Sequence, residues 1–136
     1  MDWVFDGAPL EAIPEKAVGF VYLISNTLSG KSYIGKKRFF FSKSKQVKKK
    51  KKKFKVESDW RTYYGSSDEI ATDVATLGAE NFTRTILRIC YSLGECSYYE
   101  AKLQFQHEVL EHPDKWYNAW ISVRVRRNHV TWLSRL

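Results

Sequence analysis

Gly19-Phe20-Val21-Tyr22-Leu23-Ile24-Ser25-Asn26-Thr27-Leu28-Ser29-Gly30-Lys31-Ser32-Tyr33-Ile34-Gly35 is the stretch whose reading decides the fold. Gly19 to Ser25 is rich in β-branched and aromatic residues and predicts a buried strand. Thr27 to Lys31 predicts a hairpin connection, with Gly30 supplying the positive φ of a tight turn. Lys31 to Arg38 predicts the second, antiparallel strand, with Phe39 to Phe41 as a candidate extension. Each strand carries one tyrosine among apolar neighbours. Tyr22 and Tyr33 lie on adjacent strands and could point to one face together.

Downstream the character changes abruptly. Between Ser42 and Val56 the chain carries Lys43, Lys45, Lys48, Lys49, Lys50, Lys51, Lys52, Lys53 and Lys55, with no acid. The net charge of the whole chain is +8, so this run accounts for all of it and the remainder is close to neutral. Like charges at this density repel, so residues 42–56 are expected to form a mobile, extended loop. Polyphosphate is its natural partner, because each neutralised phosphate releases condensed counterions.

Beyond the lysines, Ser58-Asp59-Trp60-Arg61 offers caps for a short helix. Ser67-Asp68-Glu69 caps a second helix, with Ile70, Val74 and Leu77 on one face and Gly78 at its end. Asn81 to Cys90 predicts a third strand. Ser97 to Leu110 predicts a helix with Tyr99, Leu103, Gln106 and Leu110 along one side, broken at His112-Pro113-Asp114. Residues 1–17 carry Pro9 and Pro14 without periodicity and are expected to be an irregular arm, anchored by Trp3 and Phe5. Residues 122–136 form a basic tail with Arg124, Arg126, Arg127 and Arg135.

A chain of 136 residues with 43% hydrophobic content is one domain long and buries a single modest core. No apolar run approaches a membrane span, and no basic-then-apolar leader opens the chain. The expectation is a cytoplasmic protein without membrane contact. Cys90 and Cys96 are too few for a zinc site and are expected to be free thiols. The fold class expected is α/β (α+β): a small three-stranded antiparallel sheet flanked by helices, spanning residues 1–136 as a single domain.

The paired tyrosines, with Gly35 closing the second strand, resemble the signature of the GIY-YIG nucleases. The Trp60-Arg61-Thr62-Tyr63-Tyr64-Gly65-Ser66-Ser67 stretch after a lysine-rich insertion looks most like the phage Seg-type endonucleases, often encoded by phages or mobile elements as homing enzymes. The resemblance covers about Gly19 to Asn118. It implies hydrolysis of DNA phosphodiester bonds with Mg²⁺, for which Mn²⁺ could substitute, and no organic cofactor. It carries the roles onto this chain residue by residue. Tyr22 and Tyr33 would activate or position water. Arg61 would hold the phosphate, Arg38 following the glycine too closely for that place. Glu100, in Tyr98-Tyr99-Glu100-Ala101, would bind the metal, and Asn118, after Tyr117, would orient the site.

Phosphodiester hydrolysis also needs charge stabilisation on the phosphoryl oxygens. A free tyrosine titrates near 10, so a neighbouring cation must assist it as a base; Lys36 and Lys37 are supporting candidates beside Arg61. The lysine run would grip the DNA backbone. One such site would nick one strand. The alternatives are a catalytically silent nucleic-acid-binding module, or an interaction protein acting on a nucleic-acid enzyme. Oligomeric state is not legible in the sequence.

Overall fold

The computed structural model describes residues 2–123 and 127. Its main sheet is built around the predicted hairpin. The strands in chain order are β1 (Trp3–Phe5), β2 (Ala8–Pro9), β3 (Gly19–Asn26), β4 (Ser32–Arg38), β5 (Phe40–Val47), β6 (Lys50–Glu57) and β7 (Phe82–Cys90). β3 is the central strand, and Phe20, Val21, Tyr22 and Ile24 are fully buried on its two faces. It pairs antiparallel with β4, setting Tyr22 opposite Gly35 and Ile24 opposite Tyr33. On its other side it pairs antiparallel with β7, with a register shift between Val21 and Tyr22.

The expected sheet of three antiparallel strands is corrected to a mixed sheet of five, in the order β2-β1-β7-β3-β4. The N-terminal arm supplies the two extra strands. β1 runs parallel to β7, and β2 folds back antiparallel on β1. A strand of three residues has no readable periodicity. Burial holds it instead: Trp3 is 2% exposed, and its Nε1 donates to the Trp60 carbonyl at 2.6 Å.

Side chains alternate across the sheet, so β3 feeds two cores. Phe20, Tyr22 and Ile24 join Trp3, Phe39, Trp60 and Phe82 in an aromatic cluster. Its rings meet mostly edge to face, as Trp3–Phe20 does at 5.0 Å, the arrangement that ring quadrupoles favour. On the opposite face Val21 and Ile34 pack with Cys90, Cys96 and Val109. Both cysteines are buried free thiols.

Two helices flank the sheet. α1 (Asp68–Leu77) begins and ends where its caps predict: Ser67 accepts a hydrogen bond from the Ile70 amide, and Gly78 closes the last turn. α2 (Leu93–Gln106) both begins and ends four residues before the predicted 97–110. The cause is Ser92, whose Oγ accepts from the Glu95 amide at 3.1 Å, an N-cap that the periodicity alone conceals. Its buried side carries Cys96, Ala101 and Gln104, while Leu110 is left exposed.

The lysine run is not the extended mobile loop expected from its charge. β5 and β6 form a separate two-stranded antiparallel ribbon, closed by Lys48 and Lys49 at φ of 49° and 63°. Every lysine in it is exposed. Two ammoniums 4 Å apart in water repel by only about 1 kcal/mol, and alternation sends neighbouring lysines to opposite faces. The backbone ladder, with apolar Phe41 opposite Val56 at the root, outweighs that repulsion. The root is fixed: Phe39 is fully buried, its amide donates to the Val18 carbonyl at 2.9 Å, and Ser58 N–H donates to the Phe39 carbonyl at 2.8 Å.

The chain finally returns to the free edge of β4. Ser32 N–H donates to the Lys115 carbonyl, Tyr117 N–H donates to the Ser32 carbonyl, and Trp116 bridges Ser32 in parallel. Among the described residues no helix is long and apolar enough to cross a membrane. Of the basic tail, Arg127 is described and exposed; Arg124, Arg126 and Arg135 lie outside the described residues.

Candidate active site

A cleft of about 530 Å³ opens between β4, the start of α1, α2 and the returning C-terminal segment. Tyr33, Lys36, Tyr63, Ser66, Glu100 and Gln104 line it. The two predicted tyrosines meet here, with ring centroids 6.1 Å apart. Gly35 makes that possible. A Cβ at this position would stand 2.6 Å from Tyr22 Cζ and 2.8 Å from Tyr33 Cε1, so the rings occupy the space a side chain would need.

The two phenols differ in reach. Tyr22 is fully buried behind the cleft wall, and among the described residues nothing gives its hydroxyl a hydrogen bond of standard geometry. Burial, followed by the neighbouring Tyr63 and Tyr33 phenols, pushes its pKa well above the usual tyrosine value. Tyr33 borders the opening, and its hydroxyl shares a hydrogen bond with Ser66 Oγ at 3.0 Å. Burial raises its pKa as well, with the Ser66 contact pulling the other way. Both phenols are therefore protonated at neutral pH, and the one at the opening, Tyr33, keeps a proton it can donate.

Glu100 enters from the middle of α2, since that helix begins at Leu93 and not at Ser97. Burial raises its pKa above the usual 4.5, countered by the Lys36 ammonium and a backbone hydrogen bond from Lys36. The Lys36 Nζ donates to Ser97 Oγ at 2.8 Å and is held at the α2 side of the cleft. One turn after Glu100, Gln104 donates from Nε2 to the Ile34 carbonyl at 2.9 Å. Among the described residues its buried Oε1 has no hydrogen-bond partner. Lys37 faces the aromatic side, 2.6 Å from Asp59 Oδ1 and over the Tyr63 ring at 4.1 Å.

Lys37 is thus not among the residues lining the cleft, and Arg61 and Asn118 lie elsewhere too. Arg61 sits on a single 3₁₀ turn, Trp60–Thr62. Its Nη1 donates to the Glu11 carbonyl at 2.8 Å, its Nη2 lies 3.6 Å from Glu57, and its guanidinium stacks on Trp60. It is not among the residues lining the cleft. Asn118 is buried behind β4, where its amide brackets Ile34: Oδ1 accepts from the Ile34 amide at 3.1 Å and Nδ2 donates to the Ile34 carbonyl at 2.8 Å. It braces the strand between the two key residues Tyr33 and Gly35.

Sequence reasoning passed over Tyr63, Ser66 and Gln104. The first two stand in the Tyr-Tyr-Gly-Ser-Ser stretch, a visible signal attached to Arg61 alone. Gln104 gave none, because a glutamine in a helix is ordinarily solvent-facing.

The donor set at the cleft suits a hard divalent cation: the Glu100 carboxylate, the exposed Asp68, and the unpartnered amide oxygen of Gln104 supply the oxygen ligands such ions prefer. Just past α2, Glu108, Glu111 and His112 also bring ligand atoms within 4.8 Å of one another, but all three are exposed, as acidic groups without an ion commonly are.

No curated protein and no solved structure matches the chain. Residues 3–121 match the family described as putative endonuclease segE, GIY-YIG domain, whose nucleases act on DNA and are generally dependent on a divalent metal. As that match spans most of the chain, the chain belongs to the SegE-like GIY-YIG endonucleases and is a phosphodiester hydrolase.

Proposed function

We propose that this cleft is the catalytic centre of a Mg²⁺-dependent, phage- or mobile-element-type DNA endonuclease that nicks one strand per encounter. The observation that carries the reading is the convergence of Tyr33, Lys36 and Glu100 on one cleft, with Tyr22 behind them. Glu100 would hold the metal, with Gln104 Oε1 beside it. The ion would polarise the phosphoryl group and lower the pKa of a bound water.

The protein's own groups do the rest. The Tyr33 phenol donates a hydrogen bond that orients the attacking water, and the buried Tyr22 fixes the Tyr33 ring. Water attacks phosphorus in line and gives up a proton to solvent, a new P–O bond forms, the P–O bond to the departing deoxyribose oxygen breaks, and that oxygen takes up a proton from solvent. Lys36 offsets the charge that gathers on the phosphoryl oxygens. Asn118 acts through β4 by holding Ile34. Trp120, 72% exposed at the cleft rim, presents a ring to a base.

This reading gives Lys36 the phosphate-stabilising place that the family resemblance gives Arg61, which tests cleanly. Lys36→Ala is expected to lower the single-turnover rate about a hundredfold, and Arg61→Ala by less than about threefold. The reverse order would return the role to Arg61.

The pH dependence follows from Glu100. A cation binds its ionised form, and burial raises its pKa, so protons compete from a higher pH than at an ordinary glutamate. Apparent Mg²⁺ affinity, followed by calorimetry, is expected to weaken as pH falls, beginning above 4.5, and to lose this dependence in Glu100→Gln.

Cleavage of supercoiled plasmid tests the function directly. With Mg²⁺, nicked circles should appear before linear DNA; EDTA or Glu100→Ala should abolish both. Undiminished cutting by Glu100→Ala would remove the glutamate from the site. Simultaneous appearance of linear product would replace the nicking reading with paired cleavage.

A further inference from the structure

The ribbon has two unlike faces. Directly opposed residues share a face, so the pairs Ser42–Lys55, Ser44–Lys53 and Gln46–Lys51 stand on one side. Beyond its root, where Phe40 and Glu57 share it, that face is made of hydroxyls, an amide and ammoniums. Phe41, Phe54 and Val47 stand on the other side, between 36% and 43% exposed, with Lys43, Lys45, Lys50 and Lys52 among them. A ribbon serving as a diffuse positive cloud would have no use for this segregation. Nine lysines on an otherwise neutral chain identify a polyanion as the occupant. The width of two strands selects its form, because the major groove of B-DNA, about 12 Å across, admits a two-stranded ribbon.

We infer that the ribbon is a groove-reading arm for double-stranded DNA, which lays its serine–glutamine–lysine face on the floor of a major groove. The inference rests on the endonuclease reading above and adds where the duplex lies and which face touches it. Ser42, Ser44 and Gln46 both donate and accept hydrogen bonds and meet base edges. Lys51, Lys53 and Lys55, on the neighbouring strand of the same face, meet the phosphates of one groove wall. The apolar face turns away from the DNA. Eight residues per strand give a reach of about 27 Å, or about eight base-pair steps. The buried Phe39 root fixes the arm to the sheet beside the Lys37–Asp59 ion pair. The scissile bond is thereby set at a constant offset from the bases being read.

Two triple variants of equal charge test the face. Lys51→Ala/Lys53→Ala/Lys55→Ala and Lys45→Ala/Lys50→Ala/Lys52→Ala each remove three positive charges. Binding to a 30-base-pair duplex is measured in EDTA across a salt series. The first triple is expected to shrink the salt slope by about 2.7, at about 0.9 per phosphate contact, and the second by about 1 or less. Equal losses, or a greater loss from the second triple, would overturn the docking face. A charge-neutral pair, Ser44→Ala/Gln46→Ala, tests the reading role. On a defined duplex with Mg²⁺ it should redistribute the nick positions at nearly unchanged affinity; an unchanged pattern would overturn groove reading. Wild-type nicking on the same duplex separates the two levels. If wild type fails to cut, the endonuclease reading has failed. If it cuts and the triples behave alike, the ribbon inference alone has failed.

Discussion

Replacing Glu100 by glutamine should abolish cleavage and, in the same protein, raise the melting temperature measured in EDTA. The two effects share one cause. The Glu100 carboxyl is largely withdrawn from water, and its folded-state pKa lies above the ordinary 4.5. For a group whose pKa folding raises, the contribution to stability is fully present below the unfolded value. It is lost as pH rises through the folded value, because the folded state then holds the charge at greater cost than the unfolded chain does. At neutral pH wild type therefore carries a standing deficit, which Lys36 only partly offsets. Glutamine keeps the shape without the charge, and a gain of a few degrees in Tm is expected. Saturating Mg²⁺ should stabilise wild type by mass action and leave the variant unmoved. Nicking should fall about a thousandfold or more, since an ion held against the reacting phosphate is worth several kcal/mol. A variant with lower Tm than wild type in EDTA would show that the carboxylate is a structural group.

Gly35→Ala should be the most damaging single-methyl change in the hairpin. The added carbon would press on the Tyr22 hydroxyl and on both tyrosine rings. Tyr22 has no room to retreat, being packed against Trp3, Phe20 and Tyr63. The neighbouring Tyr33 ring can yield only toward the cleft. Overpacking of this kind costs about 1–3 kcal/mol, readable as a lower denaturation midpoint at constant slope. Activity should fall further than stability explains, because Tyr33 is the phenol at the opening and a shift of about 1 Å in a positioning group can cost about a hundredfold. If Gly35→Ala nicks normally under conditions where it is fully folded, Tyr33 placement does not govern the rate.

The central hairpin was legible because local and tertiary demands agree there. β-rich composition, a turn glycine and burial of β3 all ask for the same conformation, and Ser67 and Gly78 bound α1 in the same way. The ribbon was illegible for the opposite reason. Its lysines argue for an open chain, while Phe40, Phe41, Phe54 and Val56, sparse and at its root, argue for strands; only the pairing decides. Trp3 and Phe5 were readable as anchors, but a parallel seat beside β7 is specified by residues some eighty positions away. At the cleft, Tyr33, Lys36 and Glu100, which the resemblance and the need for a cation singled out, lie along one lining, with Tyr22 behind it. Residue type and chain order did not give the direction of a side chain. Arg61 was a sensible choice by position, yet the Glu11 carbonyl and Trp60 ring hold it outward. Nor did residue type and order show that the Asn118 amide matches both polar groups of Ile34.

That brace also bears on when the enzyme becomes dangerous. Asn118 closes on Ile34 across 84 positions, and Trp3 reaches the Trp60 carbonyl across 57. Contacts this remote in sequence form late, after the entropy of closing long loops has been met. During translation the N-terminal strand waits for β7, and β4 lacks its outer support until residue 118 has left the ribosome. The cleft beside β4 is therefore expected to form late, after its residues have emerged. Cleavage by ribosome-bound chains that stop short of residue 118 is expected to be absent, and a nicking assay on stalled chains checks it.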